Sequence, residues 1–458
     1  MSERLADVLE GYLDLRWRIN PVEGTYVGRH EFDPQLPHVD AASLREYMAA
    51  LRAYTASLEE VEVETLDDEI DRTATLHAAR HDLLVLERER PYARDPSHAL
   101  LFALSGIHLL LARDAEDAAG RSAAVLARVQ ALPRFLDEAA AALTEPRSVF
   151  FDTARAMIGG GVSLLRDGLA PTVLPGADPL ALAEARDAAV DALHRYGDAL
   201  ALMEPAGEPR PGIGRELFDL KLHTAHMIRE NADELLRFGE RLRTEAIAEL
   251  ERLAGEMRPN TPWRDLVHQF REDTPTRDTA IDEYRVAMRA AHEFTVERGL
   301  MTVPDGELRV APTPDFLRAL IPFAAYQGPA AFDGDARGTF FVTLPRANEP
   351  WRLHCRAELP STALHEGVPG HHLQIVTACR LPRRVRRVIS SPAAQEGWAL
   401  YCENLMAEQG FIRDPAARLF QVHHLLWRAL RVILDVSLHT RGMTVDAATA
   451  MLRDELAL

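Results

Sequence analysis

Cysteine is scarce in this 458-residue chain: Cys355, Cys379 and Cys402 are the whole set, with no Cys-x-x-Cys pair. That excludes a disulfide framework and a zinc ribbon. A surplus of positive charge is also missing. Basic side chains number 52 against 70 acidic ones, a net charge of −18 at pH 7, so phosphate backbones and anionic bilayers would repel the molecule. Neither nucleic acid nor a membrane is expected as a partner. The most apolar stretch, Leu100 to Leu111, is interrupted by Ser105 and His108 and is too short for a bilayer span of about 20 residues. The first twenty residues carry Glu3, Arg4, Asp7, Glu10 and Asp14 and so lack the apolar core of a secretion signal. These absences together predict a cytoplasmic protein. No G-x-G-x-x-G motif accompanies Gly159-Gly160-Gly161, which reads as a helix interruption, and there is no internal repeat or low-complexity tail.

What is present is enough apolar material for a substantial core, 47% of residues, arranged with helical spacing. Segments 73–89, 121–144, 180–203 and 215–256 read as amphipathic helices rich in Ala, Leu, Arg and Glu. Between about 303 and 344 the texture changes to β-prone runs, Leu308 to Ala311 and Thr339 to Thr343, set among Pro and Gly. The expected fold is therefore mainly α, a large multi-helix bundle with a deep cleft and a small sheet or hairpin near 303–344. Pro and Gly crowd the stretch Glu204 to Gly214, which predicts a boundary between an N-terminal helical part, 1–204, and a C-terminal part, 215–458, packed as one unit.

The chemistry concentrates in His365-Glu366-Gly-Val-Pro369-Gly370-His371-His372-Leu-Gln374. A His-Glu pair followed by another His on a helix is how zinc hydrolases hold the metal with two imidazoles and present a carboxylate to its water. Here the second imidazole does not come four residues later. On an unbroken helix His371 would lie about 240° around from His365, and His372 would share its face but sit roughly 10 Å further along. Pro369 cannot donate to the carbonyl of residue 365, and Gly370 tolerates unusual dihedrals, so the helix is expected to open and return His371 to the metal, with His372 as the substitute. A third ligand is expected from Gln395-Glu396-Gly-Trp-Ala-Leu-Tyr401-Cys-Glu403, where Glu396 and Glu403 share a helix face. Glu396 is the preferred ligand. Glu403 is the alternative, either on the metal or accepting a hydrogen bond from a liganding imidazole.

Both blocks, His365 to Gln374 and Glu396 to Tyr401, resemble the hallmark of the DUF885 family of uncharacterised bacterial proteins, and the likeness extends to Asn20–Asp33 and Leu434–Met443. That family is similar in turn to helical zinc peptidases of the thimet oligopeptidase, angiotensin-converting enzyme and Taq carboxypeptidase type. Those proteins place a Gly-His pair after the His-Glu and draw a glutamate from a later helix. The resemblance implies one zinc ion on His365, His371 and Glu396.

Glu366 is then the expected general base. A polar stripe at three- and four-residue spacing, Arg428, Arg431, Asp435 and His439, together with Arg441, offers further groups. His439 or Tyr401 is expected to stabilise an oxyanion, and Arg431, Arg441 and Asp435 to bind substrate. The expected function is a zinc-dependent amide hydrolase, a peptidase on small or unfolded peptides, with other divalent metals able to replace zinc. The alternatives are a metal-dependent enzyme for a non-peptide small molecule and a non-catalytic helical binding protein. The run Arg380, Arg383, Arg384, Arg386 and Arg387 reads as an anchor for acidic partners or substrate carboxylates. Tyr26, His30, Asp33, Tyr326 to Gly328, Phe340 and Phe341 read chiefly as loop-to-bundle packing, with a cleft wall as the second reading.

Overall fold

A computed structural model describes residues 2–112, 117–169, 174–206, 212–314, 318, 321–334 and 336–456. Helices dominate, and a three-stranded sheet is the only sheet among the described residues. The expected helices appear as Leu66–Leu84, Ala118–Ala142 and Pro179–Leu202. The 215–256 segment is two helices, Arg215–His226 and Ala232–Met257. Met227 adopts a left-handed conformation (φ 54°) that ends the first, and the Asn231 side chain accepts from the backbone N–H groups of Asp233 and Glu234 to start the second. The Asn231–Glu234 capping box was the sequence signal for that break. Gly159 to Gly161 interrupt nothing, because they lie within the helix Phe151–Gly168. A Cβ on Gly161 would meet Leu104 and Leu193 at 3.0–3.2 Å, so its small size serves helix packing. The middle of the Glu204–Gly214 boundary, residues 207–211, lies outside the described residues.

Five apolar clusters organise the described residues, the smallest packing Leu364 against Ala291, Met406, Ile412 and Ala417 beside the region of interest. One joins Pro96–Ala112 to Ala118–Ala142, Phe151–Gly168 and Pro179–Leu202 through residues such as Ile107, Val129, Phe135, Leu165 and Leu193. Another joins Ala232–Met257 to the long helix Pro415–Thr440, whose start is fixed by Asp414 accepting from the Ala417 N–H and by Pro415 in the first turn. A third gathers the N-terminal helices around Trp17 and Tyr12 and includes Val385 from far along the chain. Around Val385 the basic run is consumed internally. Arg383 bonds Asp68 (2.8 Å) and Asp71 (2.6 Å), Arg386 bonds Asp71 (2.5 Å) and Asp67 (2.8 Å), and Arg384 bonds Glu10. Arg383 and Arg386 therefore dock the C-terminal half on the helix Leu66–Leu84, and Arg384 docks it on the N-terminal helix Glu3–Ile19, so the run is committed within the protein and not to an outside partner.

The sheet has the order β1-β3-β2, with β1 Leu308–Pro312, β2 Ala324–Gln327 and β3 Gly338–Val342. β1 pairs parallel to β3 with Val310 opposite Phe340, and β2 pairs antiparallel with Tyr326 opposite Phe340. The fourth cluster lays the helices Ala280–Glu297 and Leu359–Glu366 on one face of this sheet, through Tyr284, Met288, Val310, Phe340, Val342 and Ala363. This platform fixes the helix that ends in His365-Glu366.

Candidate metal centre

The helix Leu359–Glu366 begins with Pro360 in its first turn and stops at Gly367, and a second helix, His371–Cys379, starts after Gly370. The sequence suggested one helix opened by two residues. The structure instead has two helices joined by an elbow. Its closeness depends on Gly370, since a Cβ there would stand 2.0 Å from the His365 carbonyl oxygen and 2.3 Å from that of Leu364. The third element, Pro392–Glu408, clamps the elbow. Trp398 Nε1 donates to the Pro369 carbonyl at 2.9 Å, and the Cys402 thiol meets the same oxygen at 3.3 Å. Sequence reasoning had assigned no role to Trp398 or Cys402.

His365, His371 and Glu396 converge, each offering one ligand atom within 4.8 Å of the other two. Glu396 Oε2 stands 3.4 Å from His365 Nε2, and Oε1 stands 3.7 Å from His371 Nε2. The imidazole rings meet edge to face with centroids 4.7 Å apart. Glu403, seven residues after Glu396, takes the other end of the same ring: its Oε1 accepts from His365 Nδ1 at 2.8 Å and from Arg428 at 2.8 Å. An ionised carboxylate only accepts, so Nδ1 of His365 carries a proton toward Glu403, and Nε2 is the atom that faces Glu396, as a second N–H donor in the metal-free protein and as a lone pair if a cation takes that proton's place.

The electrostatics follow from three carboxylates beside one arginine. Burial works against a charged His365, yet hydrogen bonds to Glu396 and Glu403 override it and push its pKa up to about 9. Hydrogen bonds from His365 and His371 hold Glu396 well below the usual carboxylate range. Burial would raise Glu403, but His365 and Arg428 keep it ionised. Glu366 shifts the other way: burial raises its pKa, against the pull of both histidines, and leaves a carboxylate with stronger proton affinity next to the cluster.

This donor set fits a divalent ion. Ligands about 2.0–2.1 Å from a tetrahedral zinc lie roughly 3.3 Å apart, close to the nitrogen-to-oxygen separations here. The negative surplus that draws a proton onto His365 is what a cation would neutralise. Glu396, with a side chain 66% exposed, leaves the cluster open to solvent on one side.

The other expected site residues are not brought to the cluster. His372 faces the sheet, with Nδ1 2.8 Å from the Tyr326 hydroxyl and Nε2 near the Gly306 carbonyl, so both of its nitrogens are engaged away from the ligands. Tyr401 points off the glutamate face, is 55% exposed and neighbours Trp398. His439 lies eleven residues beyond Arg428, about 16 Å along the same helix, where it faces Asp435 at 3.5 Å and stacks on Phe218. Arg441 is held by Asp233 at 2.9 Å, and Arg431 is exposed. Helical periodicity placed these groups on one stripe correctly but said nothing about which turn meets the cluster.

The chain belongs to the DUF885 family, described as bacterial proteins of unknown function, whose profile matches residues 21–458. No curated protein matches it. Solved structures share its fold, two of which are described as lipoproteins. One is "a putative lipoprotein of unknown function" from Shewanella oneidensis, with a TM-score of 0.80, 23% identity, and coverage of 99% of this chain and 87% of that one. The other is a "putative lipoprotein" from Colwellia psychrerythraea, with a TM-score of 0.83, 14% identity, and coverage of 100% of this chain and 86% of that one. These neighbours overturn the cytoplasmic expectation, because lipoproteins are membrane-anchored. The cysteine argument behind it also carries no weight for two of the three thiols, Cys379 being half-buried. Cys355 and Cys402 are buried and unpaired, so they stay thiols through inaccessibility, whatever the redox poise around them.

Proposed function

We propose that this protein is a zinc-dependent hydrolase of amide bonds, a peptidase acting on small or unfolded peptides. The observation that carries the reading is the convergence of His365, His371 and Glu396 with Glu366 alongside. The Gly370-His371 step and the glutamate from a later helix are the features that resemble helical zinc peptidases, and they support it. His365, His371 and Glu396 would hold the ion, which when bound supplies Lewis acidity and lowers the pKa of its water.

The remaining work falls to this chain's own groups. Glu403 fixes the His365 ring through Nδ1, and Arg428 keeps Glu403 charged. Glu366, with its raised pKa, takes the proton of the attacking water and returns it to the leaving amine.

The test pairs metal analysis with digestion. Protein purified without a metal-scavenging tag should hold one zinc per chain. It should cut members of a peptide library that Glu366→Gln leaves intact, the variant losing about 10²–10⁴-fold in rate while keeping its metal. If wild type cuts nothing that the variant spares, the peptidase reading falls. Absence of bound metal would favour a binding protein.

A further inference from the structure

A cavity of about 550 Å³ lies between the helix Ala280–Glu297, β1 and the helix His371–Cys379. It shares Val368 and His372 with the elbow but is lined by none of His365, Glu366, His371, Glu396 or Glu403. Its size falls in the range of small-molecule sites. The floor is apolar, formed by Met288, Leu308, Val310, Leu373 and Val376.

The rim is cationic. Arg285, Arg289, His292 and Arg309 face the cavity, and Glu307 is its one carboxylate. Glu307 is shared between Arg309 (2.9 Å) and Arg337 (3.3 Å), so it is already outnumbered. Arg285 is tied to Asp282 at 2.8 Å and to the Val310 carbonyl at 3.0 Å. Arg289 and His292, three apart on one exposed helix face, make no hydrogen bond or ion pair among the described residues. A chain of net charge −18 thus leaves one guanidinium without an ion-pair partner among the described residues, that of Arg289, beside an apolar hollow.

We propose that this cavity binds a carboxylate carrying an unbranched apolar chain of about eight carbons, long enough to cover the floor. The guanidinium of Arg289 would take the carboxylate through paired N–H donors, with His292 beside it, while the chain lies on Leu308, Leu373 and Val376. Both halves are required. The exposed rim alone is a weak anion site, and the apolar floor alone does not distinguish an acid from an alcohol.

The test is calorimetric titration of the intact chain with octanoate, octanol and butyrate. Octanoate should bind at least tenfold tighter than either of the others. Arg289→Glu should weaken octanoate at least tenfold and leave octanol unchanged; Arg289 is exposed to solvent, so the variant keeps its fold. Val376→Phe, which fills the floor, should weaken octanoate and octanol together. Equal binding of octanoate and octanol, or of octanoate and butyrate, overturns the proposal, as does an Arg289→Glu protein with wild-type octanoate affinity. Because the readout is binding and not hydrolysis, its failure is separate from failure of the peptidase reading.

Discussion

Two glycines in the two sequence blocks of the site region should respond oppositely to the same substitution. Gly370→Ala places a methyl carbon 2.0 Å from the His365 carbonyl oxygen and 2.3 Å from that of Leu364. Both are more than about 1 Å inside van der Waals contact, and both are backbone atoms of the helix that carries the first ligand. The strain cannot be relieved by a side-chain rotation, so the elbow must open, with a cost of about 3 kcal/mol. Opening carries His371 away from His365 and Glu396, and zinc affinity should fall at least ~100-fold. Gly397→Ala, one residue after Glu396, meets nothing within 4 Å and lies inside a helix. Removing a helical glycine there should stabilise the protein by about 0.5–1 kcal/mol and leave zinc affinity within twofold. With roughly 2.1 cal/mol/K per residue of unfolding entropy, 458 residues unfolding together shift by only about one degree per kcal/mol. Chelator competition for zinc is therefore the sharper assay, with thermal scans confirming that Gly370→Ala remains folded. A folded Gly370→Ala protein with wild-type zinc affinity would refute the claim that this close approach sets the ligand geometry.

Two further expectations concern buried charge. Glu403→Gln removes the carboxylate that orients His365 and leaves Arg428 without its partner, so zinc affinity should drop about 10–100-fold; unchanged competition against a chelator would show that Glu403 does not orient the ring. His423 is 3% exposed, and burial, aided by the charge of His424, lowers its pKa from 6.5 to about 4 despite a hydrogen bond to the Leu456 carbonyl. A folded-state pKa below the unfolded one means stability that is complete above about pH 6.5 and lost as pH falls toward 4, by about 3 kcal/mol. Urea unfolding between these pH values should show that slope in wild type and a flatter one in His423→Gln; identical slopes would mean that this imidazole does not drive the acid sensitivity.

The types of ligand were legible before any coordinates because the chemistry limits them: an imidazole pair, a base and a later carboxylate are recognisable as residues. Their assignment was only partly legible. Glu396 and Glu403 share a face at a spacing of seven, and periodicity alone cannot say which joins His365 and His371 in the candidate cation site. The structure puts them at opposite ends of one ring, Glu396 at Nε2 and Glu403 at Nδ1 of His365. Arg428 likewise stood in a stripe with Asp435 and His439, yet only its turn of the helix meets Glu403.

The sequence by itself determined the helical class, the sheet region near 303–344 and which residue types stand in the two blocks of the candidate site, since spacing and side-chain type are local properties. Tertiary structure decided the rest. Whether His371 or His372 joins His365 depends on an elbow closed by a glycine against a carbonyl and held by Trp398 and Cys402 from another helix. Whether the arginines after Cys379 face a partner or the protein itself depends on Asp68 and Asp71, more than 300 residues earlier. Contacts between such distant segments leave no periodic trace in either one, so they emerge only when the chain is folded.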